Sequence, residues 1–282
     1  MTPQHSVAAV CAALDVTRAG YYAWVQRPPS VRAQVDADLQ AEICAIHAAH
    51  RGRYGGPRIH AELRARGQRH GRKRIARLLR HAGLQGLCSR RFVPRTTDSR
   101  HAYPIAPNHL ATHPVPTGPN QIWVADLTYV ATAASWLYVA VIMDLYSRRI
   151  IGWAAGLSLA TTTVLAALRM ALTHRPVPVG LLYHTDRGVQ YASGAHRDVL
   201  ARAGIEASMS RAGNPYDNAA MESFMATYKR ECVVLAEAAG GYATPTDATA
   251  DFFDYVELYY NRQRRHSALG YQTPLDFETN VN

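Results

Sequence analysis

No run of eighteen or more uncharged apolar residues occurs anywhere in the 282 residues, so the sequence contains no candidate membrane-spanning helix. The first residues, Met1 to His5, have neither the charged start nor the long apolar stretch of a signal peptide, and a soluble cytoplasmic protein with no membrane partner is expected. Cysteine is scarce. Cys11, Cys44, Cys88 and Cys232 are far apart and form no CxxC pair, which argues against a disulfide framework and a thiolate zinc site. No internal repeat of twenty residues or more is present. Acidic residues are few: 21 Asp and Glu stand against 31 Lys and Arg, a net charge of +10 that suggests a polyanionic partner.

What is present is unevenly distributed. Residues 1–115 hold 18 Lys and Arg against 6 Asp and Glu, a net +12, whereas residues 116–282 hold 13 against 15, a net −2. One region is therefore suited to grip phosphates and the other to chemistry that needs carboxylates.

Five stretches are distinguishable: a small helical segment at 1–34, a basic helical region at 35–88, a proline-rich linker at 89–119, a core at 120–240 and a C-terminal helix with a basic tail at 241–282. In the first, Thr17 is a suitable cap for a second short helix. Helices are expected over Val35 to His50, over Arg58 to Arg66 after Pro57, and over Arg72 to Ala82, ended by Gly83. The last of these has an apolar stripe of Ile75, Leu78, Leu79 and Ala82, with Arg72, Lys73, Arg74, Arg77 and Arg80 largely outside it. A helix, a tight glycine-containing turn and a basic helix form the pattern of a helix-turn-helix, so Arg72, Lys73, Arg74 and Arg77 are candidate DNA contacts. A solvated arginine face is the plainer alternative.

From Gln121 the period changes to that of strands. Strands are expected at 121–132, 136–146, 149–155, 181–185 and 205–209, and helices at 161–174, 194–203 and 218–232, with a last helix from Pro245 to Asn261. Three strands followed by alternating helices and strands indicate an α/β layer structure with a mixed five-stranded sheet. Arg262 to His266 reads as a basic tail.

Three carboxylates stand where decoration explains them poorly. Asp126 interrupts an otherwise apolar strand, where a buried carboxylate needs a partner or a metal. Asp186 ends a short strand, the place where open α/β sheets put their sites, although capping a turn is the plainer alternative for it. Glu222 lies beside the apolar stripe of its helix, and Lys229, seven residues on, falls within about 20° of the same face. Asp144 is a possible substitute for Asp126 but reads as structural, and Asp217 reads as a helix cap.

Residues 35–280 resemble the insertion-sequence-3 family of bacterial transposases, and specifically its catalytic OrfB product with a retroviral-integrase-like DDE core. The resemblance rests on Trp123-Val-Ala-Asp126-Leu-Thr-Tyr129, on His184-Thr-Asp186-Arg-Gly-Val-Gln-Tyr191, on the run from Ser208 to Phe224 that contains Asn218 and Glu222, and on Tyr260-Asn-Arg262 with His266-Ser-Ala-Leu-Gly-Tyr271. It includes the 35 residues between Asp186 and Glu222, a spacing shared with integrases. It implies an RNase H-like fold preceded by an all-α helix-turn-helix region. Asp126, Asp186 and Glu222 are then the catalytic and metal-holding triad, and Lys229 a basic DNA contact. His47 and His50 lack the paired cysteines of the integrase zinc module, so no metal is expected there.

Hard oxygen ligands suit Mg²⁺, or Mn²⁺ in its place, and two such ions roughly 4 Å apart can steady both the attacking and the leaving oxygen of a phosphodiester. The expected function is transposition. Water cuts a strand of the element, and the freed 3′-hydroxyl attacks a second phosphodiester. The implied partners are element-end and target DNA, further copies of the chain on that DNA, and an OrfA protein or an OrfAB fusion that reads the inverted repeats. Two rivals remain at this stage: a non-catalytic DNA-binding regulator that keeps an integrase-like assembly domain, and a tyrosine recombinase built on Tyr271 and the cluster Arg262, Arg264, Arg265 and His266.

Overall fold

The computed structural model describes residues 6–87, 103–211 and 215–280. Cys88, the first part of the proline-rich stretch and residues 212–214 of the motif before Glu222 lie outside the described residues. Internal contacts divide the chain into two units, residues 1–86 and 87–282.

The first unit is all helical. Two short helices, α1 (Val7–Ala13) and α2 (Arg18–Val25), are capped by Ser6 and by the expected Thr17, whose hydroxyls accept the backbone N–H of Ala9 and Gly20. Helix α3 (Val31–Ala49) begins earlier than its apolar periodicity suggests, because Ser30 supplies the cap and accepts from Ala33. Next come α4 (Gly56–Ala65), with Pro57 in its first turn, and α5 (Arg72–His81). Leu39, Ile43 and Ile46 of α3 pack with Ile59, Leu63, Ile75, Leu78 and Leu79 into a buried core. The ring of Tyr54, fully buried, stacks on His50 at 3.7 Å. Gly86 closes this unit against Gly55 so tightly that a Cβ there would lie 2.4 Å from the Gly55 nitrogen.

The second unit is an α/β layer structure. Strands β1 (Ile122–Ala131), β2 (Trp136–Asp144), β3 (Ile150–Gly156), β4 (Leu182–Thr185) and β5 (Glu206–Met209) form one sheet in the order β3-β2-β1-β4-β5. The first three pair antiparallel, and β4 and β5 run parallel to β1, so the sheet is mixed as expected. Alternation along the strands sends Trp123, Ala125, Ala140 and Ile142 to one face, where they bury Val164, Leu168 and Leu200 of α6 (Thr161–His174) and α8 (Gly194–Arg202). Gly152 permits that contact, since a Cβ there would stand 2.5 Å from the Ala167 carbonyl oxygen. A short helix, α7 (Val189–Ala192), precedes α8. Helices α9 (Ala219–Tyr228) and α11 (Pro245–Phe253) contact β1 and β2 respectively, and a five-residue helix, α10 (Val234–Ala238), lies between them in the chain.

Three expectations need correction. The helix read as 218–232 continues beyond Tyr228 as a π-helical segment, Lys229–Val233, and the one read as 245–261 does so beyond Phe253, over Asp254–Tyr260. Neither widening is visible in a 3.6-residue repeat. The basic tail read at 262–266 is not all at the surface: Arg262 and Gln263 are exposed, but Arg264 is 3% exposed and donates from Nε and Nη2 to Glu231, both at 2.8 Å, while Tyr255 donates to the same carboxylate at 3.0 Å. A buried arginine requires such a partner, and Glu231 stands 33 residues away in the chain. Beyond it the chain folds back through helix α12 (Pro274–Thr279), whose Glu278 is paired with Arg175.

The described part of the proline-rich stretch also packs. Ala106 joins the sheet core, the Met209 N–H donates to the Pro107 carbonyl, and the Ser208 hydroxyl accepts from the His109 and Leu110 N–H groups.

Candidate active site

The site begins with strand register. β1 pairs with β4 only over Ile122↔Leu182, Trp123↔Tyr183 and Val124↔His184, and beyond Val124 β1 has no strand partner on that edge. Carried two residues further, the register sets Asp126 opposite Asp186, which lies immediately after β4. With side chains alternating, the Asp126 carboxylate, midway along β1, and the Asp186 carboxylate, just past the end of β4, share one face. Asp186 is held there by the Gly188 N–H, which donates to its Oδ1 at 2.9 Å, and a Cβ on Gly188 would stand only 3.0 Å from that oxygen.

Glu222 arrives on the first turn of α9. The N-cap of that helix, Asn218, donates from Nδ2 to the Ala125 carbonyl at 3.2 Å, pinning the helix start beside Asp126. Lys229 lies at the far end of α9, where its ammonium sits 4.9 Å from the centre of the Tyr129 ring. Burial depresses its pKa, and the nearby Asp126 carboxylate counteracts that.

The electrostatics report how close these groups are. Burial, then the negative charge of Asp186 and next that of Glu222, push the Asp126 carboxyl up to about 8, against the opposing Leu127 N–H bond and the Lys229 ammonium. Glu222 is itself raised by burial. Asp126, Asp186, Glu222 and Lys229 thus share one neighbourhood. Among the described residues, however, no three His, Cys, Asp or Glu side chains stand as a ready-made ligand cage. The carboxylates are felt as mutual charge rather than as a closed coordination shell.

The surroundings are rigid. His184 is fully buried, its ring nitrogens 2.8 and 3.0 Å from the hydroxyls of Ser208 and Ser210, and burial lowers its pKa to about 4, so it is neutral. Arg187 donates from Nε to the Ser210 carbonyl at 2.7 Å. Burial above all, then the neighbouring Tyr183 and the charges of Asp126 and Asp186, raise the phenol pKa of Tyr191 on α7. Tyr129 and Tyr191 belong to the sequence motifs but carried no role at that level; the fold places Tyr191 near both aspartates and Tyr129 against Lys229.

The rival carboxylates go elsewhere. Asp144 is fully buried and accepts from the N–H of Asn120 and Ser147 and from the Ser147 hydroxyl, a turn-fixing role. Asp217 is not a helix cap: it sits in a 3₁₀ turn, Pro215–Asn218, bound by Arg211 and by the Asn108 side chain. Arg264, neutralised by Glu231, makes no phosphate pocket for Tyr271.

On α5, in the other unit, Arg72 and Lys73 are exposed, whereas Arg74 and Arg77 both reach Asp36 of α3, each at 2.5 Å.

Comparison with known proteins places this arrangement. Residues 116–215 match the family described as "Integrase core domain", residues 203–274 match a second family of the same description, and residues 34–92 match "HTH-like domain". The chain is 43% identical over 268 residues to the insertion element IS600 uncharacterized 31 kDa protein of Shigella sonnei, covering 95% of this chain and 97% of that one. It is 38% identical over 277 residues to transposase InsF for insertion sequence IS3A of Escherichia coli, covering 98% and 94%. The chain belongs to the insertion-sequence-3 family of transposases. The fold of the transposase is also that of a chain in a simian T-cell lymphotropic virus intasome, at a TM-score of 0.50 and 14% identity, over 84% of this chain and 74% of that one. Among the described residues, no helix of the transposase is long and apolar enough to cross a membrane.

Proposed function

We propose that Asp126, Asp186 and Glu222 are the metal-holding catalytic triad with which this transposase cuts and joins DNA strands. The observation that carries the reading is the crowding of negative charge at one point. Burial first, then the Asp186 carboxylate just past β4 and the Glu222 carboxylate on α9, raise Asp126, midway along β1, to about 8. Such an arrangement costs stability unless a cation shares it. The donor set is all oxygen, which fits Mg²⁺, or Mn²⁺ in its place. When bound, two such ions supply Lewis-acid stabilisation of the attacking and leaving oxygens.

The chain's own residues do the rest. Asp126, between the other two carboxylates in the electrostatics, is suited to bridge. Asp186 is fixed by Gly188, and the exposed Glu222 side chain is free to turn inward and complete the set. Lys229 holds a phosphate against this centre. Arg72 and Lys73, with Arg74 and Arg77 behind them, grip element-end or target DNA through α5. Both element ends must be held at once, so the working form is an oligomer on DNA. A separate OrfA protein, or a fusion with it, supplies further end recognition, and the reaction takes place on nucleoid DNA in the bacterial cytoplasm.

The test is cleavage of element-end DNA by the full chain with OrfA present. Asp126→Ala and Glu222→Ala are expected to abolish Mg²⁺-dependent cleavage while leaving DNA binding within a few-fold of wild type. Cleavage that persists in either variant, or in EDTA, would remove the triad assignment.

A further inference from the structure

Beyond Val124, β1 has lost β4, and β3 pairs with β2 no further than Tyr138. The residues from Val130 to Leu137 therefore form a two-stranded ribbon beyond the last β3 pair, with Tyr129 at its base. The ribbon is braced at its tip. Within the turn, the Thr132 hydroxyl donates to the Ser135 carbonyl at 2.6 Å and accepts from the Ser135 N–H at 3.0 Å. From outside the turn, the Tyr242 carbonyl accepts the Ala133 N–H at 2.9 Å.

On this braced ribbon sit two aromatic rings in edge-to-face contact, Tyr129 and Trp136, their centres 5.2 Å apart. Trp136 is 50% exposed although a tryptophan gains much from burial. The Lys229 ammonium lies 4.9 Å from the centre of the Tyr129 ring and is also within electrostatic reach of Asp126. Carboxylate, ammonium, phenol and indole thus follow one another outward from the site.

We propose that Tyr129 and Trp136 form a stacking ledge for unpaired bases next to the scissile phosphodiester, with Lys229 holding a phosphate between ledge and carboxylates. This rests on the triad reading above. A cation that takes phosphates, set beside aromatic faces that take bases, is the chemistry of single-stranded nucleic-acid contact. Tyr129 is three residues beyond Asp126, about 10 Å along the strand or roughly three base steps of 3.4 Å, and since alternation turns its ring to the face opposite Asp126, the Lys229 side chain in contact with that ring is what links the ledge to the carboxylates. The bases concerned are therefore the first three beside the cut. A ring can stack on such a base only after it has left the duplex, so the ledge offsets part of the cost of unpairing the end.

Two measurements on the full chain decide the matter. In the first, 5-iodouracil is placed at each of the three positions flanking the cut in an element-end duplex, and the irradiated adduct is mapped to a peptide. Adducts on Tyr129 or Trp136 are expected, with the Trp136 adduct absent in Trp136→Ala. The second is the single-turnover cleavage rate at saturating protein, on fully paired ends and on ends with three mismatched terminal pairs. Trp136→Ala should slow the paired substrate about tenfold and leave the mismatched one near the wild-type rate, and Trp136→Phe should restore the paired rate. Equal slowing on both substrates, or adducts only elsewhere while Asp126→Ala still abolishes cleavage, would overturn the ledge and leave the triad standing. Cleavage by Asp126→Ala would instead remove the triad itself.

Discussion

Asp126 should make the metal-free transposase less stable at high pH, and replacing it should reverse the effect. Its carboxyl is raised from 3.8 to about 8 in the folded chain. Below pH 3.8 both folded and unfolded states carry the proton and the side chain is neutral in its effect. Between 3.8 and about 8 the folded state holds a proton that the unfolded state has released, so stability falls as pH rises. Above about 8 the penalty is constant. At about 1.4 kcal/mol per unit the ceiling is about 6 kcal/mol. Water reaching this half-buried residue, and relaxation of Asp186 beside it, screen the repulsion and leave on the order of 2 kcal/mol. For a unit of this size that corresponds to a Tm change of roughly 4–8 °C. Thermal unfolding of wild type and Asp126→Asn in EDTA, from pH 4 to 9, measures it. The variant should melt higher at pH 8 and the gap should close toward pH 4. Adding Mg²⁺ should raise wild type and leave the variant where it was. A variant that melts lower than wild type at pH 8 in EDTA, or a gap independent of pH, would refute the crowding of charge from which the site was inferred.

Other outcomes test other parts of the fold. Arg264→Met leaves Glu231 buried without its partner and should lower stability by about 3–5 kcal/mol in urea unfolding, whereas the double variant with Glu231→Met should recover much of the loss. Gly86→Ala forces a Cβ against the backbone of Gly55 and should cost about 1–3 kcal/mol. Hydrogen exchange should show the loss at Ile43 and Ile46 and not at Val124 or Val139. Because Asp36 ties Arg74 and Arg77, Asp36→Ala should tighten DNA binding and steepen its salt dependence. Replacing Arg72 and Lys73 with Ala should flatten that dependence by close to one unit per residue. Titrating binding between 50 and 200 mM salt reads both.

Local physics was legible in the residues themselves. Thr17 as a cap, Pro57 in a first turn, Gly83 after a helix and the alternating strands from Gln121 are each decided by neighbours a few residues away, and each element formed close to its expected bounds. Asp126 and Asp186 were also conspicuous, because charge is misplaced in a strand and at a sheet end without a reason to be there, whereas Glu222, on a helix, stood out through the family motif around it.

What the chain could not reveal by itself depended on partners remote in sequence. The pairing of Val124 with His184 puts Asp126 opposite Asp186, and a register is a choice among whole strands that no single strand contains. Glu231 turned the supposed tail arginine, Arg264, into a buried structural residue, and Asp36 took up two of the five basic side chains expected on DNA. Composition and periodicity settle which segments become helix or strand, since those preferences are local. Only the tertiary structure decides which charges meet, because an ion pair or a crowded carboxylate is set by distance in space.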